Sequence, residues 1–169
     1  LRLHPANLRL AGMEFGVNIE PPLRTEDVVR RILMHRTSPA RPMEGPACGI
    51  TISHPDAPTN RRTHGSMYRF KIYDKALHMG RAGRILRIEL CLRKMRLLKH
   101  CQVATLADLL DHNTWTAIQA HLLKRFNELL IVEVDVPVDG LRPAERLLLT
   151  SAICPNYWLE LNRKQRSEK

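Results

Sequence analysis

The segment Arg84 to Arg93 reads R-I-L-R-I-E-L-C-L-R, and no other stretch of the chain restricts the fold as tightly. Leu86, Ile88, Leu90 and Leu92 fall on one side of an extended backbone, and Arg87, Glu89, Cys91 and Arg93 on the other. Successive side chains of a strand point to opposite faces, so this period of two predicts a strand with one face on a core. The same period recurs twice. In residues 8–20, Met13, Phe15, Val17 and Ile19 oppose Glu14, Gly16 and Asn18. From Met67 to Tyr73, Tyr68, Phe70 and Ile72 oppose Arg69, Lys71 and Tyr73. Three half-apolar strands imply an antiparallel sheet, because strands of parallel sheets are apolar on both faces.

Between and beyond these strands the pattern changes. Pro21-Pro22 ends the first, and Thr25 is placed to cap a helix from Glu26 to about Arg36, with Val28, Val29, Ile32 and Leu33 as its apolar face. Prolines and a glycine mark Thr37 to Ala47 as a loop, followed by a short strand from Cys48 to His54. The stretch Pro55 to Ser66, which holds Arg61 and Arg62, reads as an exposed basic hairpin tip. A short turn or helix is expected at Ala76 to Met79. Past residue 100 the reading is helical: TLADLLDH from Thr105, then a helix from Thr114 to about Leu130 capped by Asn113. The stripe of that helix is Trp115, Ile118, Leu122, Phe126 and Leu129. A last strand is expected at Ile131 to Val136, a helix starting at Pro143, and a charged, fraying tail from Asn162 to Lys169. The order implies an α+β fold, an antiparallel sheet with helices packed on one face and a helical C-terminal third. Residues 1–100 would be the sheet-rich, nucleic-acid-binding core and 101–169 a helical part of the same single domain. The 169 residues suit that size. The chain opens on Leu1 rather than Met, so a segment of a longer protein is expected, with an element upstream.

Charge narrows the partners. Lys and Arg number 27 against 17 Asp and Glu, a net +10. Such an excess favours polyanions, since each cation that neutralises a phosphate releases condensed counterions. Most of it is Arg around the central strands, and Arg can hold a phosphate through two parallel bonds. Cys48, Cys91, Cys101 and Cys154 are scattered without a CxxC pair, which gives a zinc ribbon no support. With no apolar run near the ~20 residues of a membrane span and no signal peptide, four reduced and mostly buried thiols in a cytoplasmic protein are expected.

The alternation puts Arg69, Lys71, Tyr73 and Lys75 on one face, and Arg87, Glu89 and Arg93 on one face of the next strand. If the two strands pair with those faces together, a tyrosine and a carboxylate lie among several cations. KIYDK (Lys71 to Lys75) followed by LRIEL (Leu86 to Leu90) resembles the paired motif of rolling-circle replication initiators, the trans-acting plasmid initiators and the filamentous-phage gene II type. MEFGVNIE (Met13 to Glu20) resembles a segment upstream of that pair. Together the matches cover about a third of the chain.

The resemblance implies a protein that nicks one DNA strand at a single-stranded or hairpin origin. A tyrosine becomes linked to the 5′ phosphate, and a divalent metal, Mg²⁺ or Mn²⁺, polarises the scissile group. Carried over, Tyr73 is the expected nucleophile, with Tyr68 second. Glu14 and Glu89 are the expected metal ligands. Lys75 and Arg87 would bind phosphate or steady developing charge, and Arg69, Lys71, Arg93, Arg61 and Arg62 would hold DNA. The chain departs from many such nickases in having no His-x-His; His54 and His64 lie too far apart for that motif. The alternative is a basic DNA-binding module, or a degenerate fragment of such a replication protein, that binds without cutting. In that reading Tyr73 is a packing residue and Glu89 a cross-strand ion pair.

Overall fold

The alternating segments form adjacent strands of one sheet. The computed structural model describes residues 3–45, 48–55, 66–133 and 137–168. The first strand, β1, is Met13–Ile19, followed by helix α1, Thr25–Arg30. Strands β2 (Ile32–His35), β3 (Ser38–Pro39), β4 (Arg41–Pro42), β5 (Gly49–Pro55) and β6 (Ser66–Asp74) come next. A one-turn helix α2, Lys75–His78, leads to β7, Leu86–Leu92. Two 3-10 segments, Met95–Cys101 and Ala107–Leu110, precede helix α3, His112–Phe126, and strand β8, Leu129–Ile131. Helices α4 (Pro143–Ala152), α5 (Pro155–Glu160) and α6 (Arg163–Ser167) complete the described chain. The fold is α+β, with a five-stranded antiparallel sheet in the order β1-β7-β6-β5-β4, a three-stranded one in the order β3-β2-β8, and helices in the C-terminal part.

The contacts divide the chain into two compact units. One unit holds Leu1–Val17, Ser53–Lys71 and Ile88–Asn127; the other holds Asn18–Ile52, Ile72–Arg87 and Glu128–Lys169. In the first, Phe15, Tyr68, Phe70, Ile88, Leu90, Leu92, Leu98 and Ile118 are buried. Each such side chain contributes about 1.5–3 kcal/mol through removal from water. In the second, Leu33, Met34 and Trp158 form a cluster against which Val132, Ala152, Tyr157 and Leu161 pack.

Several local expectations are corrected, some by tertiary contacts and some by local caps. The helix expected to run to Arg36 stops at Arg30, and Ile32 to His35 form β2, every residue of which is buried. β2 pairs with β8 along one edge and β3 along the other, and all four of its residues are buried, so the helical period loses. Arg36 then takes a left-handed φ of 53° in the turn into β3, and its guanidinium grips Glu128 at 2.9 and 2.6 Å. Thr37 to Ala47 is not all loop, since β3 and β4 lie in it. Thr25 is not the cap of α1; Arg24 holds that position, and the Thr25 hydroxyl donates to Asp74 instead. Asp111, not Asn113, caps α3 by accepting from Asn113 N at 2.9 Å, and α3 ends at Phe126 rather than Leu130. The tail is helical because Asn162 and Gln165 cap each other's backbone N–H groups at 3.0 and 2.8 Å. Arg166 further ties it to the carbonyls of Thr37, Trp158 and Leu161. Of the four free cysteines only Cys101 is buried; Cys48 and Cys91 are half-buried and Cys154 is exposed. Residues 56–65 of the tip expected at Pro55 to Ser66, and 134–136 at the end of the last expected strand, lie outside the described residues. Among the described residues no helix is long and apolar enough to cross a membrane.

Candidate nucleic-acid interface

Strand pairing fixes which side chains meet. Lys75 N donates to Ile85 O at 2.7 Å and Arg93 N to Met67 O at 3.1 Å, which sets β6 and β7 antiparallel with one register. Lys71 then stands opposite Glu89, Arg69 opposite Cys91 and Tyr73 opposite Arg87. Opposite residues of an antiparallel pair share a face. The alternation expected for both strands therefore holds, and each compact unit carries part of the polar face.

In the first unit the face is an ion cluster centred on Lys71. Its Nζ lies 2.9 and 3.0 Å from the two oxygens of Glu14 and 3.3 Å from Glu89 Oε2. Glu89 is buried, its side chain only 6% exposed, whereas Glu14 is open to solvent. Gly16 makes this possible. A Cβ there would run into the Ile88 carbonyl oxygen and stand 3.0 Å from Glu89 Cγ, so the glutamate occupies space that any other residue would fill. Burial alone would lower the Lys71 pKa; the hydrogen bond and charge of Glu14, then of Glu89, outweigh it and hold the ammonium above the ordinary lysine value. Burial, followed by the hydrogen bond and charge of Glu14, raises the Cys91 thiol, with Lys71 and Arg69 opposing. Arg69 is half-buried, and its Nε is a buried donor with no acceptor among the described residues. Arg93 is exposed at the end of β7.

In the second unit the face is packed rather than charged. Tyr73 is 5% exposed. A Cβ on Gly49 would come within 2.5 Å of Tyr73 Cβ, so Gly49 supplies the room for the tyrosine. The His78 ring meets Tyr73 edge-on at 5.5 Å between centroids, and Lys75 Nζ lies 5.8 Å from the ring centre. Asp74, also buried, accepts from the Thr25 hydroxyl and from Leu77 N at 2.8 Å, capping α2. Arg87 Nη1 donates to Asn18 Oδ1 at 3.1 Å.

The site residues expected from sequence thus separate. Glu14, Lys71 and Glu89 are brought together, with Arg69 beside them. Tyr73 and Lys75 form a separate aromatic–cation contact, and the buried tyrosine offers little surface to a phosphodiester. Tyr68, the second choice, is 3% exposed and lies 5.2 Å beneath the Arg125 guanidinium. Arg61, Arg62 and His64 lie outside the described residues. Sequence reasoning did not single out Gly16, Gly49, Asp74 or Asn18 as parts of the site; the two glycines carry a signal, since glycine inside a strand marks a close approach.

Whether a divalent ion fits can be tested on the donors present. The expected ligands Glu14 and Glu89 converge on the Lys71 ammonium, which stands where a shared cation would sit. Among the described residues no group of three or more His, Cys, Asp or Glu side chains is placed to hold a metal. A divalent ion at this pair would have to displace the lysine, so the arrangement as it stands does not fit one. No family model, curated protein or solved structure matches the chain.

Proposed function

We propose that the chain is a nucleic-acid-binding module of the replication-initiator kind, which holds DNA through Arg69 and Arg93 of the first compact unit. The observation that carries this reading is the cationic excess, 27 Lys and Arg against 17 Asp and Glu, which draws polyanions to the chain. Glu14 and Glu89 converge on Lys71, and among the described residues no acceptor meets the Nε of the half-buried Arg69. That nitrogen is closed to solvent, so a phosphate would meet the arginine through the outer part of its guanidinium. Arg93, exposed just past β7, adds charge of the same sign.

Binding without cleavage is favoured over strand nicking by the burial of Tyr73 and by the lysine between the two glutamates. The test is fluorescence anisotropy with a labelled single-stranded oligonucleotide and with a hairpin, followed by incubation with Mg²⁺ or Mn²⁺ on a denaturing gel. Affinity should fall by about 10³ between 50 and 200 mM salt if six or more phosphates are contacted. Arg69→Gln should weaken binding, and no covalent band should form. Absence of binding at 50 mM salt would overturn the proposal. A covalent band that disappears in Tyr73→Phe would restore the nicking reading.

A further inference from the structure

A second cluster of chemistry-bearing side chains lies away from the Lys71 face, within the first compact unit. His100, exposed near the end of the 3-10 segment Met95–Cys101, and His121, 5% exposed on α3, face each other. His121 Nδ1 lies 3.1 Å from His100 Nε2, with ring centroids 4.9 Å apart and planes tilted by 41°. The two residues are 21 apart in sequence, so no spacing motif announces them.

We propose that His100 and His121 form a binding site for a divalent transition-metal ion of the zinc and nickel class. Imidazole nitrogens are the preferred ligands of such ions, and they bind at about 2.0–2.1 Å. Two ligands at that distance stand about 3.3 Å apart around a tetrahedral ion and about 2.9 Å apart around a square-planar one. The observed 3.1 Å lies between these values, so an ion can enter between the rings once the donor ring carries its proton on its other nitrogen and the rings rotate to aim both lone pairs at it. One ring is exposed, which gives the ion a route in and leaves its remaining positions to water. The other is held in the core on a long helix, which fixes the geometry. Cys101 is not a third ligand: its Sγ is 3.6 Å from the Ala117 carbonyl, and burial raises its pKa, so it stays a thiol. With only two protein ligands the site should bind reversibly, and more weakly at low pH, where protons compete with the ion for the ring nitrogens.

The experiment is a Zn²⁺ titration of the whole chain by calorimetry at pH 7.5 and 5.5, with His100→Ala alongside. Loss of a direct ligand should cost at least the about 10–100-fold typical of losing a supporting partner. The expected result is one equivalent bound at pH 7.5, weaker binding at pH 5.5, and at least a tenfold loss in His100→Ala. His100 is exposed, so that variant should keep its melting temperature in EDTA. If it does not, proton NMR of the unaltered chain decides. Substoichiometric Zn²⁺ should then perturb two of the eight histidine ring signals before the others. Unchanged zinc affinity in a folded His100→Ala, no binding by the unaltered chain, or perturbation spread evenly over the histidines would each overturn the proposal.

Discussion

Lys71 and Tyr73 are two residues apart on one strand and belong to one alternating face, yet their surroundings are opposite. Around Lys71 the face is electrostatic, with an ammonium shared by two carboxylates, one open to solvent and one buried. Around Tyr73 it is a packed pocket, with a glycine against the tyrosine Cβ, a histidine edge on its ring and a buried aspartate that caps a helix. Periodicity decides which way a side chain points. It does not decide whether that side is wet, because cover comes from elements distant in sequence. The difference separates binding from chemistry: a part-solvated charge cluster can meet a polyanion, whereas a buried phenol is held by its neighbours.

The contrast breaks most visibly at Lys71. Lys71→Met leaves Glu89 without its ammonium, and breaking a pair with a buried member should cost about 3 kcal/mol in a urea melt. Lys71→Met combined with Glu89→Gln should recover most of that loss. The pH dependence has a definite sign. The folded-state pKa of Lys71 is raised, so its contribution is fully present below the ordinary lysine value of 10.5 and is lost as pH rises through the higher folded value. The stability gap between the unaltered chain and Lys71→Met should therefore be constant from pH 8 to 10 and narrow above about 10.5.

Asp74→Ala comes next. It removes the acceptor of the Thr25 hydroxyl and the cap of α2 together, for an expected loss of about 2 kcal/mol by denaturant melting. Equal stability of the variant would mean that the Tyr73 side of the comparison is not held by packing and capping. Gly49→Ala sharpens the same side. Its new Cβ meets Tyr73 Cβ, and overpacking of this kind costs about 1–3 kcal/mol. Tyr73→Phe should change stability by less than about 1 kcal/mol and leave oligonucleotide affinity unaltered. A tenfold drop in affinity would show that the hydroxyl reaches the ligand.

Much of the fold was legible from residue order. The period of two in Met13–Ile19, Ser66–Asp74 and Leu86–Leu92 is a backbone property, and the strands follow from it, but of the inward face expected for β1 only Phe15 is buried, while Val17 and Ile19 are exposed. The larger failures share one cause. Ile32 to Met34 reads as the continuation of a helix until β8, some 100 residues later, pairs with it. Thr25 has the chemistry of a cap, but Asp74 across the fold is the stronger partner. In the candidate site, Lys71 and Glu89 were visible on faces that could meet, whereas Glu14 entered through the resemblance, and the lysine's place between the two acids depends on the registers of three strands. The burial of Tyr73 depends on Gly49 in a neighbouring strand, and no window around the tyrosine contains that information.

The most direct test of the interface is the salt slope of oligonucleotide binding in the unaltered chain and in Arg69→Gln/Arg93→Gln. Each phosphate contact to a single strand contributes about 0.7 to the slope of log K against log salt. Removal of two contacting guanidiniums should flatten it by about 1.4 while melting stability is kept. An identical slope in both proteins would place the nucleic acid elsewhere and contradict the assignment of this face.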